Sequence, residues 1–159
     1  MNFPSKWTLY FHSPVDQDWT IDSYKKIGVI ENPSDYWKIM NELEGECIEG
    51  GMFFLMRGDL PPLWEAEENV KGGSVCFKIY KKFVNRVWID LSIYLITHEL
   101  MKNKELSHHL TGLTISPKKT FCIIKLWNDN ASMNTSTYIR ESIPYINLKD
   151  TLYKAHKSR

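Results

Sequence analysis

Several features of common protein classes are missing from this sequence of 159 residues. It has three cysteines and no CxxC pair, which argues against a disulfide scaffold and a zinc site and indicates a reducing compartment. No apolar run approaches the roughly 18 residues of a membrane span, and no secretory signal is visible. The formal net charge is only +1, so any contact with nucleic acid must come from a few placed cations. We therefore expect a single cytoplasmic domain over residues 1–159, with residues 1–6 as a loose lead-in.

The sequence also lacks the short motifs of common enzymes. It contains no phosphate-binding loop, no nucleophile elbow and no HExxH pair. His108 and His109 have no third ligand at zinc spacing, so they fit a helix end better than a metal site. The acidic residues between Asp59 and Glu68 leave a metal-dependent hydrolase as a remote alternative. We therefore predict a protein that is not an enzyme and that needs no metal or cofactor.

Two periodicities predict the secondary structure, since alternation indicates strands and apolar residues three or four apart indicate helices. Strands are predicted over residues 7–12, 24–30, 52–56, 74–80, 112–115, 121–127 and 145–148, the last followed by a basic tail. One helix begins at the capping Asn32 with Pro33 at its first position, runs to about Glu44 and ends at Gly45. Further helices are predicted over 84–102 and near 135–142. This mixture without a βαβ repeat favours an α+β domain with an antiparallel sheet.

Six tryptophans are present, and their settings differ. Trp7 and Trp88 are expected in the core, whereas Trp37 lies off the centre of the apolar stripe of its helix. Trp64 is followed directly by Glu65 in a Pro-Pro-Leu-Trp-Glu loop. An indole face can stack on a flat base, and a carboxylate can accept hydrogen bonds from N1–H and N2–H of guanine. Guanine methylated at N7 is cationic and gains a further attraction to an indole. The pair therefore suggests a pocket for a methylated guanine cap.

The order of the tryptophan motifs is more specific than any one of them. The motifs are Trp7-Thr8-Leu9-Tyr10-Phe11, Trp19, Ser34-Asp35-Tyr36-Trp37, Leu63-Trp64-Glu65-Ala66-Glu67-Glu68-Asn69 with Gly72-Gly73, Trp88-Ile89-Asp90, and Gly112 with Trp127 fifteen residues later. In this order, over nearly the whole chain, the sequence resembles the eukaryotic translation initiation factor 4E family, which binds the 7-methylguanosine cap of mRNA. The resemblance implies a curved antiparallel sheet with helices on its convex face and a cap slot on its concave face. Lysine outnumbers arginine 16 to 4, which is typical of an A/T-rich genome. We interpret the chain as a divergent, short member from a parasite or a large DNA virus.

The resemblance also assigns the cap-binding residues. It implies that Trp19 and Trp64 are the stacking walls, that Glu65 reads N1–H and N2–H, and that Trp127 lies beside the N7-methyl group. For the cap phosphates it implies Lys118 and Lys119, with Lys125 as a substitute cation on the strand face of Trp127. Three positions depart from the family pattern: Lys118 stands at an arginine position, and Ile123 and Ser74 stand at basic positions.

A second site is implied on the convex, dorsal side. There the Trp37 side chain would receive the Tyr-X4-Leu-φ helix of a scaffold factor 4G-like protein or of a 4E-binding regulator. Ile89, Asp90 and Ile93 would line the same groove, in a helix-in-groove mode with an aromatic anchor. The resemblance thus implies a monomer that recruits capped mRNA to translation initiation. Two alternatives stay open: a cap-binding translational repressor, and a decoy that sequesters 4E-binding partners with little cap affinity.

Overall fold

One seven-stranded antiparallel sheet organises the molecule, whose computed structural model describes residues 1–43 and 46–157. The strands are β1 (Trp7–His12), β2 (Lys25–Ile30), β3 (Met52–Arg57), β4 (Gly73–Tyr80), β5 (Leu110–Pro117), β6 (Phe121–Asn128) and β7 (Leu152–Ala155). The helices are α1 (Pro33–Glu42), α2 (Glu46–Gly50), α3 (Glu67–Val70) and α4 (Lys81–Ile96). The spatial strand order is β2-β1-β3-β5-β6-β4-β7, and every pairing is antiparallel. The sheet is curved, as predicted for this α+β fold.

The two faces of the sheet have different partners because side chains alternate along each strand. On β3, Phe53 and Leu55 belong to the main core with α1 and α4, whereas Phe54 and Met56 lie on the opposite face. The main core includes Trp7 and Trp88, both fully buried as expected from the sequence. Among the described residues, the opposite face carries a small cluster around Phe54, Met56 and Trp127. No helix of the main core covers this second face, which we call the concave face, and it is free to form a site.

Helix α1 begins as predicted and is fixed to α4 by a buried hydrogen bond. The side chain of Asn32 accepts a hydrogen bond from the Asp35 amide, and Pro33 occupies the first turn. Tyr36 Oη lies 2.7 Å from Ser92 Oγ on α4. The predicted end of this helix at Glu44 and Gly45 lies outside the described residues.

Helix α4 spans Lys81–Ile96, so the prediction of 84–102 is wrong at both ends. Thr97 hydrogen-bonds the carbonyl oxygen of Ile93, and His98 adopts a left-handed φ of 60°, which ends the helix. Leu100 and Met101 are buried outside the helix, and Met101 pairs with Ile139 in an isolated bridge. Apolar residues that continue the helical sequence pattern thus pack into the core outside the helix.

The C-terminal elements also differ from the prediction. A single 3-10 turn at Thr135–Thr137 replaces the helix near 135–142. No strand forms over 145–148 in the described structure, where Tyr145 has a φ of 66° and a 3-10 turn begins at Leu148. The last strand is instead β7, within the segment predicted to be a basic tail. Its pairing with Gly73–Cys76 on β4 is a long-range contact that local pattern does not reveal.

The Gly72-Gly73 pair allows this close packing. A Cβ atom on Gly72 would lie 1.8 Å from the carbonyl oxygen of Asn128, and one on Gly73 would lie 2.5 Å from the carbonyl oxygen of Lys154. The side chain of Asn128 accepts hydrogen bonds from the Gly73 amide and from Tyr153 Oη. Three strands are therefore locked together where β4 begins.

The sequence predicts that residues 1–6 form a loose lead-in, but in the structure this segment contacts the folded domain. The amide of Phe3 donates to the carbonyl oxygen of Glu31, and Ser5 Oγ accepts from half-buried Arg57. Lys6 forms an ion pair of 2.9 Å with Asp59. Within the described residues, no helix is long and apolar enough to cross a membrane.

Candidate functional site

The concave face contains a cavity of about 240 Å³, which we call the base cavity. Its lining includes five of the sequence-predicted site residues, namely Trp19, Trp64, Glu65, Lys125 and Trp127. The remaining lining residues are Tyr24, Met52, Phe54, Pro62, Leu63, Thr114 and Ser116. The site thus combines the β1–β2 loop, the β3–β4 loop and the concave side of β3, β5 and β6.

Trp19 is held in place by a histidine beneath it. The rings of His12 and Trp19 are stacked, with centroids 4.0 Å apart and planes 7° from parallel. His12 is fully buried, and its ring nitrogens lie 2.8 Å from the carbonyl oxygen of Ser13 and 2.7 Å from that of Asp18. The Asp18 carboxylate accepts hydrogen bonds from the amide and hydroxyl of Thr20, which lower the pKa of Asp18. The loop is fixed on both sides of an indole that remains 47% exposed.

Trp64 and Glu65 project from a loop that a buried asparagine ties down. Asn69 at the end of α3 donates from Nδ2 to the carbonyl oxygens of Pro61 and Leu63, at 3.1 and 2.9 Å. Trp64 is 50% exposed, as a surface available for stacking must be. Glu65 is exposed and has no ion-pair or hydrogen-bond partner among the described residues. Its carboxylate oxygens are therefore available as acceptors.

Aromatic rings close the floor of the base cavity. Trp127 is 6% exposed and meets Phe54 edge to face at 6.5 Å. Tyr24 packs against Phe54 at 5.2 Å and lies near both Trp19 and Glu65. Burial, and to a smaller extent the negative charge of Glu65, raises the pKa of Tyr24 to about 12, so its hydroxyl stays protonated. The floor is thus aromatic, and the lining of the cavity adds one carboxylate, that of Glu65.

The three lysines predicted to bind phosphate occupy different places. Lys125 pairs in register with Thr114 and lines the base cavity. Lys118 and Lys119 lie in the turn between β5 and β6, where the Lys118 amide donates to the carbonyl oxygen of Phe121. Neither is among the lining residues of the base cavity. Lys118 follows Ser116 by two residues, about 7 Å along the strand, so its flexible side chain starts at the rim.

On the other side of the sheet, an almost wholly apolar cavity of about 190 Å³ opens between α1 and α4. We call it the dorsal cavity, and its lining residues are Phe3, Pro33, Tyr36, Trp37, Ile93, Ile96 and Thr97. Trp37 meets Tyr36 edge to face and is 45% exposed, although it lies on a helix that packs against the core. Such an exposed indole beside an apolar cavity is typical of a partner-binding surface.

Only two of the four predicted partner-binding residues line this cavity, namely Trp37 and Ile93. Ile89 lines a neighbouring cavity of about 270 Å³ that also contacts Met40 and Trp88. Asp90 forms an ion pair of 2.9 Å with Arg86 one helical turn away, so its carboxylate is engaged in this structure. The predicted groove is therefore divided along α4.

Comparison with known proteins decides the family. The family model of eukaryotic initiation factor 4E matches residues 2–159. The chain belongs to the eukaryotic initiation factor 4E family. It is 28% identical over 121 residues to the Caenorhabditis elegans eukaryotic translation initiation factor 4E-4, a match covering 74% of this chain and 55% of the relative. It is 24% identical over 136 residues to the Dictyostelium discoideum factor 4E, covering 84% and 53%. The chain thus spans only a little over half the length of these curated relatives.

Solved structures of the family have the same fold. The structure of Ascaris suum eIF4E-3 with an m2,2,7G cap superposes with a TM-score of 0.74 at 20% identity, covering 99% of this chain and 92% of that one. The complex of C. elegans eIF4E-3 with the 4E-binding protein Mextli and a cap analog gives 0.73 at 18% identity, covering 84% and 77%. At these identities the comparison establishes the fold, and the residue roles must be argued from this chain.

The family resemblance did not reveal the residues that position the predicted site. The sequence pattern places His12, Tyr24 and Phe54 in predicted strands, and Asn69 in the Trp64–Asn69 motif, without indicating their contacts with Trp19, Trp127 and the Trp64 loop. The one available sequence signal for Asn69 is an amide side chain directly after a short acidic segment, and its burial is seen only in the structure. Among the described residues, no group of three histidine, cysteine or acidic side chains is placed to hold a metal ion.

Proposed function

We propose that this chain binds the 7-methylguanosine cap of mRNA in the base cavity. The observation that supports this most directly is the convergence of Trp19, Trp64, Glu65 and Trp127 on one cavity from three separate parts of the chain. Two half-exposed indoles supply stacking surfaces, and an unpaired carboxylate supplies acceptors beside them. The cap is also the ligand in solved structures of Ascaris and Caenorhabditis relatives.

The energetics favour a methylated, cationic base over plain guanine. Stacking of a base on an aromatic side chain contributes about 1–3 kcal/mol for either ligand. Only the cationic base adds an attraction of about 0.5–2 kcal/mol for each indole. Hydrogen bonds from N1–H and N2–H to the Glu65 carboxylate add about 1.5–3 kcal/mol for both ligands. Selectivity for the methylated base therefore comes from the indoles, and orientation comes from Glu65.

We further propose that the dorsal cavity binds the helix of a scaffold or regulatory partner, so that the protein recruits capped mRNA to translation initiation in the cytoplasm. The exposed Trp37 beside the apolar dorsal cavity supports this, and a related Caenorhabditis factor is bound by the 4E-binding protein Mextli. The two sites lie on opposite faces of one sheet, so both ligands can be held at once.

Fluorescence titration tests the cap proposal directly, since the tryptophans of the cavity report on binding. We expect strong quenching by 7-methyl-GTP and at least tens-fold weaker binding of GTP, in proportion to the cation–π attraction. Glu65→Ala should weaken binding by about 10- to 150-fold. Glu68→Ala, which removes an exposed acid in the same segment, should bind normally. Near-normal binding by Glu65→Ala would refute the assignment of this pocket.

The titration, together with a peptide-binding assay and a translation assay, separates the remaining alternatives. A protein that binds no 7-methyl-GTP but captures a Tyr-X4-Leu-φ peptide would be a decoy for 4E-binding partners. A protein that binds both ligands but fails to support translation of capped mRNA in an extract depleted of factor 4E would be a repressor.

A further inference from the structure

A second cavity of about 240 Å³ adjoins the base cavity on the side of β7, and we call it the β7 cavity. The two cavities share Trp64, Lys125 and Trp127 as common walls. The other lining residues of the β7 cavity are Ser74, Cys76, Lys154, Ala155 and His156. The base cavity has the carboxylate of Glu65 in its lining, whereas the lining of the β7 cavity includes two lysines and no acidic residue.

Strand register places one of these lysines in line with the cap-binding tryptophan. Trp127 on β6 lies opposite Ser74 on β4, and Ser74 lies opposite Lys154 on β7. Directly opposed residues of antiparallel strands point to the same face, so the three side chains form a row across the concave face. With strands about 4.8 Å apart, the backbone of Lys154 is about 10 Å from that of Trp127.

Within residues 1–43 and 46–157, no carboxylate neutralises the lysines of the β7 cavity. Lys125 and Lys154 are both exposed, and neither lies within ion-pair distance of a carboxylate among the described residues. Lys125 reaches the cavity from β6 and Lys154 from β7, so the two cations approach from different strands. Two unpaired ammonium groups in a concave site attract an anion more strongly than the same groups would on an open surface.

We infer that the β7 cavity is the subsite for the phosphate chain of the nucleotide, with Lys154 as the cation that determines phosphate affinity and Lys125 at the boundary with the base. This inference rests on the proposed cap-binding function. When the Watson–Crick edge of a base in the base cavity faces Glu65, the phosphates of the nucleotide lie away from that carboxylate. Lys125 lines both cavities, so the phosphates can pass it into the cationic β7 cavity. The sequence expectation named Lys118, Lys119 and Lys125; this inference keeps Lys125 and adds Lys154 on β7 as the main phosphate contact.

The test compares two ligands that share the methylated base but differ in phosphate. Tryptophan fluorescence is titrated with 7-methyl-GTP and with the nucleoside 7-methylguanosine, for wild-type protein, Lys154→Ala and Lys154→Arg. Lys38→Ala removes an equal charge from the exposed dorsal surface of α1 and serves as the matched control. Loss of a charge-assisted contact is worth about tenfold in affinity. The affinity of Lys154→Ala for 7-methyl-GTP should also depend less on salt concentration than that of the wild type.

We expect Lys154→Ala to bind 7-methyl-GTP about tenfold more weakly and 7-methylguanosine as tightly as wild type. Lys154→Arg and Lys38→Ala should retain affinity for both ligands. Equal losses for both ligands, or no loss for either, would overturn the role of Lys154 while leaving cap binding intact. Failure of the wild-type protein to prefer 7-methyl-GTP over GTP would instead overturn the proposed function, and the phosphate subsite with it.

Discussion

His12 lies flat against the inner face of Trp19, with ring centroids 4.0 Å apart and ring planes 7° from parallel. The outer face of the indole is left for a ligand, and the ring beneath it is fully buried. Both imidazole nitrogens face carbonyl oxygens of the same loop, which can only accept hydrogen bonds. His12 therefore holds the stacking wall in place before any ligand arrives.

Removal of the His12 ring should weaken cap binding, because the ring supports Trp19 from the side opposite to the ligand. His12→Ala loses the aromatic stack beneath Trp19, which is worth about 0.5–1.5 kcal/mol, so 7-methyl-GTP should bind about 2- to 10-fold more weakly. His12→Phe restores a flat ring but not the loop hydrogen bonds, so its affinity for 7-methyl-GTP should lie between those of the wild type and His12→Ala. Calorimetric titration measures the affinities, with the exposed His108→Ala as control. Unchanged affinity in His12→Ala would show that Trp19 is positioned by its loop alone.

Asn69 is expected to act through the Trp64–Glu65 loop. Asn69→Ala loses two hydrogen bonds to the carbonyl oxygens of Pro61 and Leu63, at about 0.5–1.5 kcal/mol each. Both the thermal midpoint and the affinity for 7-methyl-GTP should fall, while binding of a dorsal peptide should be unaffected. Asn69→Asp should be worse, because its carboxylate would face the same carbonyl oxygens. If affinity were retained while the midpoint dropped, the loop would be rigid without this residue.

The lysines of the concave side should differ in their effect. Lys125→Ala removes a charge that lines both cavities and should weaken 7-methyl-GTP binding about tenfold. Lys118→Ala and Lys119→Ala remove charges from the β5–β6 turn and should weaken it less, with a larger effect for Lys118 at the rim. Affinities at two salt concentrations give the ranking. A greater loss in Lys118→Ala than in Lys125→Ala would place the main phosphate contact at the β5–β6 turn.

Partner binding should depend on Trp37. Truncation of a half-exposed aromatic anchor typically costs 2 kcal/mol or more, so Trp37→Ala should bind a fluorescent Tyr-X4-Leu-φ peptide about 30-fold more weakly. Fluorescence anisotropy measures this, and Asn41→Ala on an exposed position of the same helix is the control. Binding of 7-methyl-GTP should stay unchanged in both variants. A peptide that binds Trp37→Ala normally would place the partner site elsewhere.

His156 should make nucleotide binding depend on pH. Its Nδ1 lies 2.7 Å from the carbonyl oxygen of Asn69, so Nδ1 carries the proton and the neutral ring has a bare Nε2. Burial lowers the pKa of His156 below its ordinary value of 6.5, an effect opposed by that hydrogen bond and assisted by the charge of Lys125. Lys154 and Cys76 are the other titratable groups of the same cavity.

A phosphate bound beside His156 would raise its pKa, so the complex takes up a proton that the free protein does not hold. Affinity for 7-methyl-GTP should then rise as pH falls from about 8 to about 6, by up to about tenfold for each unit by which the pKa rises. His156→Gln should flatten this dependence. Protonation of the ligand itself changes the pH profiles of both proteins equally, so it cancels in the comparison. Parallel pH profiles for the two proteins would exclude proton uptake at His156.

Sequence alone determined the family, the sheet with dorsal helices, and the buried or exposed state of most tryptophans. These follow from local pattern and residue order, such as alternation in β1, the Asn32-Pro33 helix start and the Trp64-Glu65 pair. Only the tertiary structure showed that the C-terminal strand β7 lies beside the site. The pairing of β7 with β4 joins residues about 80 positions apart, and it converts a presumed basic tail into the wall that carries Lys154 and His156. Periodicity cannot report such pairing, because the free energy that selects it comes from contacts between distant segments.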